Sequence, residues 1–407
     1  MRNIELLIPA SSLEVLQTAV LYGADAVYIG GEMYGLRAKA ANFTLEEMAE
    51  GIRYAHARKC KVYITANIVA HNGDLDGIRT YFEELKAIGP DALIISDPGV
   101  FSIAREVCPG IQIHISTQAN STNYMTYDFW YRQGASRVVA ARELSLAELA
   151  EIRAHIAEEM EIEAFVHGAM CISHSGRCLL SNYFTGRNAN MGACTHPCRW
   201  KYYVVEESRP GQYMPIEEND RGTFIFNSGD LCMIEHIPDL IAAGVDSFKI
   251  EGRMKTALYV AAVTRTYRRA IDDYLQEPKT YEANMDYYRS EIAKCTYRKF
   301  TTGFYYGQPD ETAQIYDAST YIKEYTYIGI IQDTDDRGYH KIYQKNKFSI
   351  GEEIEVMVPD GSNLTLKVLD MENGDRVHVE SAPHPKEEIW IRFDRQLAPG
   401  WLLRKKA

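Results

Sequence analysis

The sequence predicts an α/β fold, a (β/α)8 TIM-like barrel with a cysteine-rich insertion, followed by a small C-terminal all-β barrel domain. Three observations predict it. Short apolar runs alternate with amphipathic stretches at even spacing through the first part of the chain. One excursion, between the seventh and eighth apolar runs, is far longer than the others and concentrates cysteine. From Tyr321 onward the pattern changes to short alternating segments separated by turn residues.

In chain order, strands are expected at Glu5–Ile8, Ala26–Ile29, Lys61–Thr65, Ala92–Ile95, Ile111–Ile115, Arg137–Ala140, Glu163–Val166 and Ser247–Ile250. Helical periodicity lies between them, for example at Leu13–Tyr22, Leu45–Lys59, Ile78–Ile88 and Leu146–Ile156. Eight such units suit a closed parallel barrel. An open doubly wound sheet is the alternative, and the even spacing of the first six units favours the barrel. The barrel is expected over 1–276, with the insertion at about 167–232. A helical connector follows at 277–317, and the β-domain occupies 318–407. Within that domain the alternating segments are Tyr327–Gln332, His340–Tyr343, Glu353–Val358, Thr365–Met371, Val377–Glu380 and Ile389–Arg392. Pro359-Asp360-Gly361 and Asn373-Gly374-Asp375 read as turns between them.

With 407 residues, 46% hydrophobic and 25% charged, the chain can bury a large core. A net charge of −12 argues against indiscriminate nucleic-acid binding while leaving room for a local basic patch. The apolar run after Met1, Arg2 and Asn3 is too short for a signal peptide or a membrane span. The expectation is a cytoplasmic protein with no membrane association.

Five of the 8 cysteines lie in the long excursion: Cys171 and Cys178 in CISHSGRC, Cys194 and Cys198 in GACTHPC, and Cys232 in SGDLC. Converging thiolates suit zinc or an iron–sulfur cluster. The absence of tight C-x2-C pairs favours iron–sulfur. Buried inert thiols are the bland alternative. That alternative fits Cys60, Cys108 and Cys295, which stand alone, better than it fits five cysteines in one loop.

Reactive groups of such barrels sit at the C-terminal ends of the strands. Arg37, Asn67, Asp97, Gln118, Asn120, Arg142 and His167 fall there. Lys249 and Glu251 alternate along the eighth strand, which puts both on one side of it, with Arg253 just beyond. Lys249, Glu251, Arg253 and His167 are the catalytic candidates. Arg37, Asn67, Gln118, Asn120, Arg142 and Arg199 are the substrate-binding candidates. A structural ion pair between Lys249 and Glu251 is the alternative for those two, and a hydrogen-bonded neighbour of the cysteine site is the alternative for His167. Arg199-Trp200 and Tyr202-Tyr203 offer planes on which bases could stack.

The segment from Glu163 through His167-Gly168-Ala169-Met170-Cys171 to Ser181 resembles the signature of peptidase family U32, the collagenase-like proteases. The runs from Tyr22 to Gly31, Gly35 to Ala38, Ser116 to Asn120 and Phe248 to Arg253 are similar to further blocks of that family. The resemblance covers the whole chain and implies two activities. One is the proteolysis for which the family is named. The other is hydroxylation tied to an iron–sulfur cluster, of the 4Fe-4S type. CTHPCRW is similar to the branch that makes 5-hydroxyuridine at the wobble position of tRNA. That branch implies tRNA as substrate and prephenate as a candidate co-substrate. It also implies Cys171, Cys178, Cys194 and Cys232 as cluster ligands, with Cys198 the alternative to Cys194. A homodimer, or a heterodimer with a related family member, stays open, as does a non-catalytic RNA-binding protein with a structural cluster.

Overall fold

The computed structural model describes residues 4–35, 42–170, 180–187, 189, 194–195, 197, 204–205, 213–214, 218–219, 222–223, 229–307 and 322–407. The chain divides into two units. One comprises Met1–Leu16, Asp25–Met254 and Arg298–Tyr321, and the other Gln17–Ala24, Lys255–Tyr297 and Ile322–Ala407.

The first unit is the barrel. Its strands are β1 (Glu5–Pro9), β2 (Ala26–Gly30), β3 (Lys61–Ala66), β4 (Ala92–Ile95), β5 (Gln112–Ile115), β6 (Arg137–Val139), β7 (Glu161–Ala169) and, after a short β8 (Asp230–Cys232), β9 (Ser247–Ile250). Parallel ladders run in order from β1 to β7, and β9 pairs with both β7 and β1, which closes the ring. The strands are dense in Val, Ile and aromatic residues, which favour the extended state and fill a two-sided core. Between them run α1 (Leu13–Leu21), α2 (Leu45–His56), α3 (Leu75–Ile88), α4 (Pro98–Val107), α5 (Tyr124–Gln133) and α6 (Leu146–His155). Their starts are chemically marked. Thr44 with Glu47 and Ser145 with Glu148 form capping boxes, and Asp97 caps α4. Gly89 and Gly134 end α3 and α5 in left-handed backbone, where a Cβ is costly.

β7 is nine residues long and overshoots the ring. Its overhang pairs antiparallel with β8, with Ala169 opposite Asp230, Gly168 opposite Leu231 and Cys232 opposite His167. β10 (Phe300–Thr301) then adds to β8. The excursion between β7 and β9 therefore returns to the rim as a strand. Helix α7 (Leu180–Thr185) lies within that excursion.

The second unit contains α9 (Ala257–Gln276), α10 (Pro278–Ala283), α11 (Met285–Ala293) and a seven-stranded antiparallel sheet. The preceding short helix, α8 (Ile237–Ala242), belongs to the barrel. In spatial order the sheet strands are Asn363–Lys367, Glu353–Met357, Leu402–Lys406, Tyr325–Thr334, Tyr339–Tyr343, Glu388–Arg392 and Asp370–Asn373. The two edge strands are joined by Val368 and Leu369 alone, so the sheet must curl to bring its edges together. Register shifts in Tyr325–Thr334 at Tyr327/Gly329 and Ile331/Asp333 supply the bend. The result is a half-barrel around Ile328, Ile342, Phe348, Ile354, Val356, Met371 and Ile391.

Two strand expectations here need correction. Thr365–Met371 is split between opposite edges of the sheet, because Val368 and Leu369 turn the corner. Val377–Glu380 makes only an isolated bridge, His378 with Glu372. Leu402–Lys406, which sequence reading missed, is a central strand. Its Arg-Lys-Lys end hides the pattern, and Arg404 is nonetheless fully buried.

That arginine belongs to a buried charge cluster in the second unit. Glu291 accepts from Arg265 at 2.7 Å, Arg404 at 2.9 Å and Lys294 at 2.8 Å, while Glu355 receives Arg404 and Lys294. Burial alone would raise the Glu291 carboxyl. The charge of Arg404, the Lys294 hydrogen bond and the charge of Arg265 overcome it and bring the pKa down to about 2. A depressed carboxyl stabilises the fold above its unfolded pKa, and the contribution is lost as pH falls from about 4.5 toward 2. Replacing Glu291 by Ala leaves two buried guanidinium groups short of an anion. It should cost about 3–5 kcal/mol in urea unfolding at neutral pH, with the deficit relative to wild type shrinking below pH 4.

Candidate active site

Inside the barrel, below the C-terminal rim, four strands carry buried charge. Arg137 of β6, 2% exposed, donates to Glu5 at 2.5 Å, to Glu161 at 2.7 Å and to Glu163 at 3.1 Å. Lys249 of β9 donates to the other oxygen of Glu163 at 2.5 Å and sits 4.4 Å from the centre of the Tyr28 ring. Tyr63 and Ser247 complete the shell of Glu5 at 2.6 and 2.8 Å. Burial works against ionisation of Glu5, but Arg137 and these hydrogen bonds hold its carboxyl low. His114, fully buried against Tyr63, is kept neutral by burial first and by Arg137 and Lys249 second.

This layer changes the reading of Lys249. Alternation does place Lys249 inward, but its partner is Glu163 on the neighbouring strand, not Glu251. Both are buried, at 4% and 0% exposure, and committed to each other. Lys249 is a floor residue of the barrel.

Glu251 stands one pleat higher, on the rim, where Arg142 reaches it at 3.2 Å. Arg142 also donates to the Ala169 carbonyl at 3.1 Å and lies 3.9 Å over the Phe165 ring. The Glu251 amide donates to the His167 carbonyl at 2.8 Å, which ties the end of β9 to the overhang of β7. His167 is buried, and its ring packs near Phe300. Arg253, 7% exposed, crosses the top of β2 and donates to Asn42 at 2.8 Å. A Cβ on Gly30 would collide with that guanidinium, which would have to shift to make room for it.

Around the rest of the rim, Asn67 donates to Ser116 at 3.2 Å. Gln118 and Asn120 lie on and just after the 3-10 turn Thr117–Ala119 that follows β5. Asp97, by contrast, is spent on helix capping, accepting from Gly99 at 2.8 Å and Val100 at 3.0 Å. Arg37 and Arg199 lie outside the described residues, as do Trp200, Tyr202 and Tyr203.

Of the cysteines in the excursion, Cys171, Cys178 and Cys198 also lie outside the described residues. Cys232 is half-buried on β8, directly across from His167. Asp230 anchors that strand through Arg298, accepting from its Nη2 at 2.8 Å, its Nε at 3.1 Å and its backbone amide at 3.1 Å. Cys194 is exposed. Its neighbour Thr195 is fastened to α7, whose Ser181 hydroxyl lies 2.9 Å from the Thr195 hydroxyl and accepts from its amide at 3.0 Å. Among the described residues no group of three or more His, Cys, Asp or Glu is arranged to hold a metal ion. Cys60, Cys108 and Cys295 are buried, and burial pushes the first and last up to about 12, as expected of inert core thiols.

Sequence reading missed the Glu5–Arg137–Glu163 layer and the Asp230–Arg298 anchor. The first was visible as charged residues at every second position near strand starts. The second joins residues 68 apart, and no local pattern marks it.

The description "Peptidase family U32" matches residues 11–315, and "Peptidase family U32 C-terminal domain" matches 323–404. A tRNA hydroxylation protein of Bacillus subtilis is 38% identical over 402 residues, covering 98% of this chain and 94% of that protein. An uncharacterised protease of Methanocaldococcus jannaschii is 44% identical, covering 74% of this chain and 73% of its own. The 23S rRNA 5-hydroxycytidine C2501 synthase of Escherichia coli is 36% identical over 275 residues, covering 68% of this chain and 40% of that enzyme.

The floor and the rim separate by stability. Lys249→Ala should cost about 3 kcal/mol in urea unfolding, because it strips a buried carboxylate of one cation. Glu251→Ala, on a half-open rim, should cost about 1 kcal/mol. Equal losses would contradict this layering.

Proposed function

The chain belongs to peptidase family U32, and from that membership we propose that it hydroxylates the wobble uridine of tRNA to 5-hydroxyuridine. The observation that carries the reading is the similarity to a tRNA hydroxylation protein along 98% of the chain, through both units. No described helix is long and apolar enough to cross a membrane, in keeping with a cytoplasmic enzyme.

We assign a 4Fe-4S cluster to Cys171, Cys178, Cys194 and Cys232, with Cys198 the alternative to Cys194. Two features of the described residues support it. Cys232 is held at the rim by the β7–β8 ladder and the Asp230–Arg298 pair, opposite His167, which lies just before Cys171 in the sequence. Cys194 is exposed beside Thr195, which is fastened to the helix that begins two residues after Cys178. Four thiolates are the donor set that iron–sulfur clusters take. When bound, the cluster supplies electron transfer. The chain's own residues hold and orient: Arg142, Glu251 and Arg253 frame the mouth, and Lys249 and Arg137 keep its floor dry and ordered. Replacing C5–H by C5–OH is a two-electron oxidation, so it requires both an oxygen source and an acceptor for two electrons, and prephenate is the candidate co-substrate. Arg142 and Arg253 at the rim are guanidinium groups of the kind that take a carboxylate.

Hydrolysis has the family's name and that of the Methanocaldococcus relative behind it, but it needs an activated nucleophile. The rim carboxylates are held by cations, Glu251 by Arg142 and Asp230 by Arg298.

In cells lacking this protein and any redundant paralogue, tRNA nucleoside analysis should show loss of 5-hydroxyuridine and its derivatives. Wild-type protein should restore them, and Cys232→Ala should not. An unchanged nucleoside profile in the deletion strain sinks the proposal. Gly30→Ala should reduce restoration less than Arg253→Ala does, since it displaces the guanidinium without removing it.

A further inference from the structure

Two turns at the rim are zipped together. The Thr117 hydroxyl donates to the Ala140 carbonyl at 3.0 Å, and the Ala141 amide donates to the Ser121 carbonyl at 3.4 Å. Asn120 lies between the two bonded residues of one turn, and Arg142 directly follows the other. On these joined segments Asn120 Oδ1, Ser121 Oγ and Arg142 Nε are shielded and have no hydrogen-bond partner among the described residues. Such groups in a native fold call for an explanation. Asn120 has φ +55°, which asparagine tolerates better than most residues. That accounts for Asn or Gly at the position. It does not account for a carboxamide oxygen withdrawn from water with nothing to accept. Arg142 is equally specific, because both its terminal nitrogens are engaged by Ala169 and Glu251 while Nε–H is left over.

The unmet set consists of an acceptor, a donor and a hydroxyl able to act as either. A carboxylate does not fit it, since it brings no proton for Asn120 Oδ1. The edge of a uracil ring does: N3–H is a donor flanked by the O2 and O4 acceptors. Cytosine presents a bare N3 there, which would face Asn120 Oδ1 lone pair to lone pair. A family relative is named for a 5-hydroxycytidine, so members of this fold serve different pyrimidines and some rim residue must tell them apart.

We infer that Asn120 is the residue that selects uracil, its Oδ1 accepting N3–H while Arg142 Nε–H donates to an adjacent ring carbonyl. The inference rests on the tRNA reading above. Asn120 as a whole is half-buried, so the residue borders solvent at the rim. It is a specificity-determining residue and takes no part in the oxidation.

The test is binding of anticodon stem-loop RNA to anaerobically purified holoprotein, followed by fluorescence anisotropy. The stem-loop carries uridine, 3-methyluridine or cytidine at the wobble position. Wild type should prefer uridine to each of the other two by about 10- to 100-fold. Asn120→Ala should bind all three within about threefold of one another, and Asn120→Asp, which keeps an acceptor, should recover part of the preference. The comparison among RNAs on wild type needs no variant to fold. Equal wild-type affinity for uridine and 3-methyluridine, or full preference retained in Asn120→Ala, overturns the inference. If 5-hydroxyuridine is lost from the deletion strain in the same study, only this inference has failed. If it is not, the functional reading has failed as well.

Discussion

Glu163 is the constraint around which the barrel is arranged. It has no contact with water and stands between two cations, Arg137 and Lys249, each nearly as buried as itself. A lone charge there would be intolerable, and even a pair must be geometrically complete to offset its desolvation. Arg137 also brings in Glu5, which in turn needs Tyr63 and Ser247. Residues from strands one, three, six, seven and eight of the ring are thereby locked to one another across its interior. His114 stays neutral because it is buried and faces the positive charge of Arg137 and Lys249.

That floor decides what the rim can do. With Lys249 engaged below, the functional surface begins one pleat higher, at Glu251, Arg142 and Arg253. The strand carrying Glu163 runs on past the ring and becomes the template for the short strand bearing Cys232. One continuous strand thus links the charged interior to the cysteine-bearing rim. The second unit uses the same device, a buried carboxylate shared among cations, with Glu291 in place of Glu163.

The barrel was legible from sequence because apolar periodicity is a local signal, and each strand it marked is present. Arg142, Glu251, Arg253 and Asn120 were legible as polar residues just past strand ends. Lys249 was placed on the correct face but given the wrong partner, since period-two alternation says nothing about which neighbouring strand supplies the counter-charge. Asp230 with Arg298 was invisible for the same reason. Leu402–Lys406 escaped because its buried arginine looks like a surface residue until Glu291 and Glu355 are seen to meet it. Sequence patterns find faces, whereas pairings across the fold depend on register.

The central position of Leu402–Lys406 has a cost during synthesis. Its neighbour Tyr325–Thr334 is made about 70 residues earlier. At cellular elongation rates that interval is roughly 4–14 s. Throughout it, the nascent half-barrel carries two unpaired inner edges, along Tyr325–Thr334 and Glu353–Met357, rich in isoleucine and valine and open to pairing with another chain. The barrel ahead of it is already complete through Thr301. The newborn protein is therefore a finished domain trailing an adhesive one, and the period of greatest aggregation hazard ends when this one late strand slots in.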